Sequence, residues 1–331
     1  MPEIQILIFM VIGLALIFDF INGFHDTANA IATSVSTRAI SPNHAIVMTA
    51  VLNFFGAMYS TGVAKTIGTD IVKSAIHIDE HVLIAALAGS IIWNIFTWYI
   101  ALPSSSSHAL VGGVIGSVLV SVGATGLNFV GIGKIVMSLI LSPVIAIMCG
   151  FCIMKTFYFL FGNLKPYTVN DNFMNMQVVS ASLMAFSHGS NDAQKSMGII
   201  TLALLAGGYI EVFEVPFYVK ALAAIAMAMG TALGGWRIIK TVGSKIFKLE
   251  PISGFAADLN SAFVIFSATL LHLPVSTTHV VAASIMGVGT AKRFRAVHWD
   301  VAQQMLVAWI LTIPCTAVMG ALFYKLILLF I

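Results

Sequence analysis

From Ile4 to Phe20 the only charged side chain is Asp19, and apolar stretches of this kind recur along the whole chain. They lie near 43–62, 82–102, 109–122, 131–161, 177–187, 196–209, 217–236, 252–273, 275–291 and 301–331. A helix crosses the hydrocarbon layer with roughly 20 apolar residues, so this length and pattern allow roughly 10 to 12 membrane helices. A soluble fold is excluded by the same pattern. Hydrophobic residues make up 59% of the chain and charged residues 9%, against roughly 25% charged in a soluble domain. A bilayer accepts that much apolar surface where water does not. The expected class is therefore an all-α polytopic membrane protein, multi-pass in the cell membrane. Glu3 stands where a cleavable signal would carry a basic patch, so the first run is read as a span.

Other features narrow the function by exclusion. The net charge of +3 is small and gives no sign of a nucleic-acid partner. Cys149, Cys152 and Cys315 all sit in apolar runs; an odd, buried set is no disulfide framework. Cys149 and Cys152 form a CxxC pair among Met148, Phe151 and Ile153, without the exposed, polarised surroundings a reactive thiolate needs. No zinc-type spacing occurs and no cofactor is expected.

Three segments occur twice, in the same order. Asn22-Gly23-Phe24-His25-Asp26 corresponds to His188-Gly189-Ser190-Asn191-Asp192. Lys65-Thr66-Ile67-Gly68 corresponds to Lys240-Thr241-Val242-Gly243. Leu102-Pro103-Ser104-Ser105-Ser106-Ser107-His108 corresponds to Leu273-Pro274-Val275-Ser276-Thr277-Thr278-His279. Collinear matches of this kind indicate duplication, with residues 1–161 and 176–331 as halves and 162–175 as the polar linker. Charge suggests how the halves are oriented. Arg237, Lys240, Lys245 and Lys248 form one basic cluster, and Lys292, Arg293 and Arg295 another. Both are expected in the cytoplasm. The first-half loop 65–81 mixes Lys65 and Lys73 with Asp70, Asp79 and Glu80 and reads as external. Equivalent loops on opposite faces mean inverted topology. The apolar hairpin 252–291 bends at Pro274, and its polar tip favours a turn at mid-membrane.

The two hydroxyl runs read as helix N-termini. Proline suits a first turn, and serine and threonine cap one. Such an end offers free N–H groups and a partial positive charge of about half an electron. Two of them facing one cavity, with six or seven hydroxyls, form a cage for a small multivalent oxyanion; helix capping or close packing alone is the plainer alternative. Asp26 and Asp192 are the sharper signal, because a carboxylate in an apolar segment is costly and marks function by default. Each follows a glycine and is expected at a helix break, where Asp26 with Asn29, and Asp192 with Asn191, would supply hard oxygens to a sodium ion or form a proton relay. Asp192 is also placed to pair with Lys195. Asp19 and Asp258 are expected to line the pathway or to make packing hydrogen bonds. His108 and His279 are expected to hydrogen-bond between helices rather than sense pH. Trp93, Trp98 and Trp236 read as interface anchors.

These residues resemble a family. Gly23-Phe24-His25-Asp26-Thr27-Ala28-Asn29-Ala30, Gly189-Ser190-Asn191-Asp192 and the two Leu-Pro-led hydroxyl runs look like the signatures of inorganic phosphate transporters of the PiT type. The likeness covers nearly the whole chain. It implies about 12 membrane helices with broken helices and re-entrant hairpins, two inverted-topology repeats, phosphate symport with sodium or protons, and homodimerisation. By position it puts phosphate contacts on Ser105, Ser106, Ser107, Ser276, Thr277 and Thr278, and cation contacts on Asp26, Asn29, Asn191 and Asp192. Two departures from the animal members stand out. Asp192-Ala193-Gln194-Lys195 replaces a second Asn-Asp…Asn pattern, in the manner of bacterial members, and Asn53 replaces a glutamate. Gln194 and Lys195 therefore join the expected phosphate contacts, with replacement of one cation as the alternative for Lys195.

The expected function is a cation-driven phosphate symporter working by alternating access. Sodium is favoured over protons because asparagine amides coordinate sodium but take up no proton. Proton-coupled phosphate, metal–phosphate and sulfate carriage remain as alternatives. Two rivals lie outside the class. A serine hydrolase using His108 and Asp26 needs one activated nucleophile, whereas the serines come as a repeated run. An anion channel has little use for buried carboxylates beside its anion site.

Overall fold

A computed structural model gives the fold; it describes residues 2–73, 79–233 and 241–330, with backbone alone for residues 2, 3, 27–29 and 244. The expectations placed on Trp236, Arg237 and Lys240, and on the side chain of Asn29, lie outside the described residues.

The described residues form helices joined by short turns. They are α1 (Pro2–Ser36), α2 (Pro42–Tyr59), α3 (Gly62–Thr69), α4 (Glu80–Tyr99), α5 (Ser106–Ser121) and α6 (Phe129–Phe161). They continue with α7 (Pro166–Asp192), α8 (Gln194–Ala206), α9 (Phe217–Leu233), α10 (Pro251–Leu270), α11 (Thr277–Lys292) and α12 (Trp299–Ile327). Among the described residues, α1 from Ile4, α4, α6, α10 and α12 are each long and apolar enough to cross a membrane. The pair α2 and α3 is bent by 68° and together passes the same test. The chain is therefore a multi-pass membrane protein. At 1.5 Å per residue, α5 and α11 reach about 24 Å each, short of a roughly 30 Å hydrocarbon layer.

Helices from the first part of the chain pack on helices from the last. α2 lies along α7 while α9 lies along α1, and α5 lies along α12 while α11 lies along α6. Close approach rests on glycine. A Cβ on Gly23 would meet the Met227 carbonyl of α9, and one on Gly230 the Phe20 carbonyl of α1. Gly56 against Phe186 and Gly189 against Asn53 make the same exchange between α2 and α7. Where lipid is as apolar as leucine, tight backbone contact is what draws helices together.

The turns ahead of α5 and α11 share one design. Helix α4 ends with Leu102 N–H bonded to the Thr97 carbonyl and Ala101 in the left-handed region at φ 56°. Helix α10 ends with Leu273 N–H bonded to the Ala268 carbonyl and His272 at φ 60°. This is the Schellman ending, built here on non-glycine residues. An extended Leu-Pro step follows. Then Ser105 Oγ accepts the His108 N–H at 3.2 Å, and Ser276 Oγ accepts the His279 N–H at 3.3 Å. The serine-run helices thus start with the expected caps.

The structure departs from the sequence reading at three places. Helix α1 runs unbroken through Asp26, because Gly23 serves packing rather than a break. The interruption after Asp192 is a single residue, Ala193, with helical dihedrals of φ −64° and ψ −24°. The polar stretch 162–175 is helical from Pro166, which opens α7 with its fixed φ. In addition, Trp93 and Trp98 are half-buried, and Trp98 meets Phe24 edge to face with centroids 5.3 Å apart. Packing accounts for their position.

Candidate functional site

Two buried carboxylates organise the interior. Asp26 sits on α1 and Asp192 at the end of α7. His25 Nδ1 donates to Asp26 Oδ1 at 2.8 Å, and Thr278 Oγ1 donates to the same oxygen at 3.0 Å. Ser106 Oγ donates to Asp26 Oδ2 at 3.0 Å. At Asp192, Lys195 Nζ lies 2.7 Å from Oδ1, and Thr277 Oγ1 donates to Oδ2 at 3.1 Å. Asn22 Nδ2 reaches Oδ2 at 3.4 Å, and His188 Nε2 also lies 3.4 Å away. Hydrogen bonds to an ionised group are the strong ones, and stranding a buried charge is far costlier than pairing it. The two groups are coupled in space: one ligand atom each from Asp26, His188 and Asp192 lie within 4.8 Å of one another. Lys195 links them, because its Nζ is also 3.4 Å from Ser106 Oγ.

Backbone design explains why these side chains converge. The N-terminal turns of α5 and α11 bring Ser106, Thr277 and Thr278 to the carboxylates, all buried to 2% exposure or less. Asn191 fixes the α10–α11 tip from outside. Its amide donates to Thr269 Oγ1 at 3.0 Å and to the Leu273 carbonyl at 3.2 Å, and its oxygen accepts the Val275 N–H at 3.3 Å. Ser107 Oγ donates to the Val275 carbonyl at 2.8 Å, tying one tip to the other. Ser138 of α6 holds the Pro274 carbonyl at 2.6 Å. Asn53 of α2 bridges Thr231 of α9 at 2.9 Å and His188 Nδ1 at 3.0 Å.

The sequence expectations divide against this geometry. Asp26, Asp192, Ser106, Thr277, Thr278 and Lys195 come together. Ser105 and Ser276 cap the two tip helices, their hydroxyls already accepting backbone N–H groups. Gln194 does not join the cluster: its Oε1 accepts the Ala64 N–H at the start of α3, and its Nε2 donates to the Ser190 carbonyl. It caps a neighbouring helix, and the expected phosphate contact by its side chain is set aside. The His108 and His279 rings meet at a tilt of 39° with centroids 4.6 Å apart, and His279 stacks on Trp309 at 3.8 Å. That replaces the interhelical hydrogen bond expected of them. Asp258 is satisfied by Thr33 and Gln177, which is the packing role. Asp19 is fully buried beside the Ser196 hydroxyl. Thr97, which contacts Ser104 at 2.7 Å, and Thr269 belong to the tips but escaped the sequence reading, since neither lies in a repeated segment.

A helical membrane protein that buries two carboxylates, one ammonium and several hydroxyls between two tightened tips carries the polar interior of a transporter. The chain belongs to the phosphate transporter family, whose model matches residues 22–320. It is 48% identical to a probable low-affinity inorganic phosphate transporter of Bacillus subtilis (strain 168), over 98% of both chains. It is 44% identical to a protein so named from Rhizobium meliloti (strain 1021), over 95% of this chain and 94% of the other. Among solved structures it resembles one described as the sodium-dependent phosphate transporter, with a TM-score of 0.90 and 26% identity over 98% of this chain and 100% of that one. These relatives are transporters, so the hydrolase reading falls.

Proposed function

We propose that this protein carries inorganic phosphate across the cell membrane together with a cation, sodium in the first instance, by alternating access between two inverted halves. The observation that carries the reading is the shared use of the two aspartates. Each receives a hydroxyl from a tip helix, Ser106 and Thr278 on Asp26 and Thr277 on Asp192. Phosphate would displace these hydroxyls from the carboxylates and take them, with Ser107, the capped N-termini beginning at Ser105 and Ser276, and Lys195, as its donors. The cation would take Asp26, Asp192, Asn29 and backbone oxygens, with Asn191 holding the tip in place. Anion and cation then neutralise each other in a site where neither is stable alone. The sodium dependence named for the solved relative supports sodium as the partner ion. The recurring order of a long helix, a packed helix, a tip hairpin and a second long helix supports two repeats with re-entrant tips. A homodimer follows from the family resemblance.

A proton-coupled version is favoured by one observation: a histidine adjoins each carboxylate, His25 at Asp26 and His188 at Asp192. Phosphate uptake into proteoliposomes separates the two. Uptake driven by an inward sodium gradient at equal pH supports sodium. Uptake that ignores sodium and follows an imposed pH gradient supports protons. No accumulation under either gradient, with passive equilibration, defeats symport and revives a channel.

A further inference from the structure

The two aspartate motifs are not equivalent three residues on. Asp26 is followed by Asn29, and Asp192 at the matching spacing by Lys195. One half offers a neutral oxygen ligand where the other carries a permanent cation. We infer that the Lys195 ammonium is a tethered replacement for one transported cation, so that this chain moves one sodium ion per phosphate where a site with asparagine in both halves would hold two. The inference rests on the symport reading above.

The position of the ammonium carries the argument. Lys195 is fully buried, and its side chain turns into the site rather than along the helix to a surface. Nζ sits 2.7 Å from Asp192 Oδ1 and 3.4 Å from Ser106 Oγ. Ser106 in turn donates to Asp26. The charge therefore lies between the carboxylate of one half and the tip helix of the other, the place a bridging cation would take. Among the described residues these contacts account for two of its three protons, and the third can donate to an oxygen of the cargo. A lysine serves here as a compact point charge that cannot leave. Burying it costs several kcal/mol unless partners repay it, and a neutral residue would pack in the same volume without that cost.

Charge balance leaves room for a mobile ion. Asp26 and Asp192 are the buried carboxylates joined by these contacts, and Lys195 is the buried ammonium beside them. Phosphate adds one or two negative charges. One tethered cation cannot neutralise this set, so a mobile cation is still required. The Asp26, His188 and Asp192 atoms, mutually within 4.8 Å, are the group left to hold it.

The test counts ions. Purified protein in proteoliposomes is loaded with labelled phosphate and labelled sodium, and the uptake ratio is measured with the sodium dependence of phosphate binding. The unmodified protein is expected to move about one sodium per phosphate, with a sodium Hill coefficient of about one. Lys195→Asn, which restores the first-half pattern, is expected to move about two, with a steeper sodium dependence. Lys195→Arg keeps the charge and the ratio of the unmodified protein. Lys195→Met, with neither charge nor ligand, is expected to lose phosphate binding more than tenfold. Two sodium ions per phosphate in the unmodified protein overturn the inference without any variant. An unchanged ratio in a transporting Lys195→Asn protein overturns it as well. Phosphate uptake by the unmodified protein with no sodium movement is a different failure, since it defeats sodium symport itself and the inference with it.

Discussion

Thr278 donates its hydroxyl to Asp26 across 252 residues of chain. Ser106 donates to the other oxygen of the same carboxylate, so one aspartate reads the position of both tip helices. A phosphate that takes these hydroxyls must draw on both tips at once.

The first expectation follows from that sharing. Hydrogen bonds to a charged group contribute about 1.5–3 kcal/mol each. Ser106→Ala and Thr277→Ala should each weaken phosphate binding by roughly 10- to 100-fold. Their combined effect should differ from the product of the two, because both act on one bound ion. Equilibrium binding of labelled phosphate to the two single variants and the double variant measures the coupling. Strictly independent effects would mean that the tips serve separate steps.

The carboxylates should set the sodium response. At fixed pH, phosphate binding should rise with sodium in the unmodified protein. Asp26→Asn and Asp192→Asn keep size and remove charge, and each should abolish that rise. A variant that binds phosphate poorly yet keeps the full sodium response would move the ion away from these residues.

Movement of the tips should be separable from binding. Ser138 of α6 grips the Pro274 carbonyl at 2.6 Å, so α6 and the α10–α11 tip touch in this state. Cysteines placed at Ser138 and Val275 and crosslinked should stop phosphate transport while sparing phosphate binding. Normal transport by the crosslinked protein would show that the tip does not travel relative to α6.

Backbone strain offers a check on stability away from the site. Ala101 holds φ at 56°, which costs a residue with a Cβ about 1 kcal/mol relative to glycine. Ala101→Gly should raise the thermal midpoint in detergent, and Ala101→Val should lower it by more. Equal midpoints for all three would remove the strained ending as a determinant of tip stability.

The residues that made the site legible in the sequence were those that occur twice and are costly to bury. Asp26, Asp192 and the hydroxyl runs announced themselves because an apolar helix does not keep such groups without use. The capping serines followed from local chemistry alone. What the sequence hid was set by neighbours. Gly23 looked like a helix breaker and is a packing contact, a difference that only the path of α9 decides. Gln194 looked like part of the site from the Asp192-Ala193-Gln194-Lys195 pattern, but two steps along a helix turn a side chain by roughly 200° from Asp192, and it points to α3. Thr97, Thr269 and Asn22 join the tips or Asp192 through partners far away in the chain or across a turn. His108 and His279 meet because both tips start at one place, which neither segment states by itself.

The crossed packing of α2 on α7 and α9 on α1 has a consequence in time. Helices α1 and α2 each pack on a helix made later, so the early part of the chain does not close its own interior. Synthesis proceeds at roughly 5–20 residues per second, and the separation of Asp26 from Thr278 by 252 residues corresponds to about 10–50 s. Through that interval the newborn first half holds a carboxylate and the glycine faces of α1 and α2 without their permanent neighbours. The molecule therefore matures late and all at once, and its assembly depends on whatever shelters an unfinished bundle until the second half arrives.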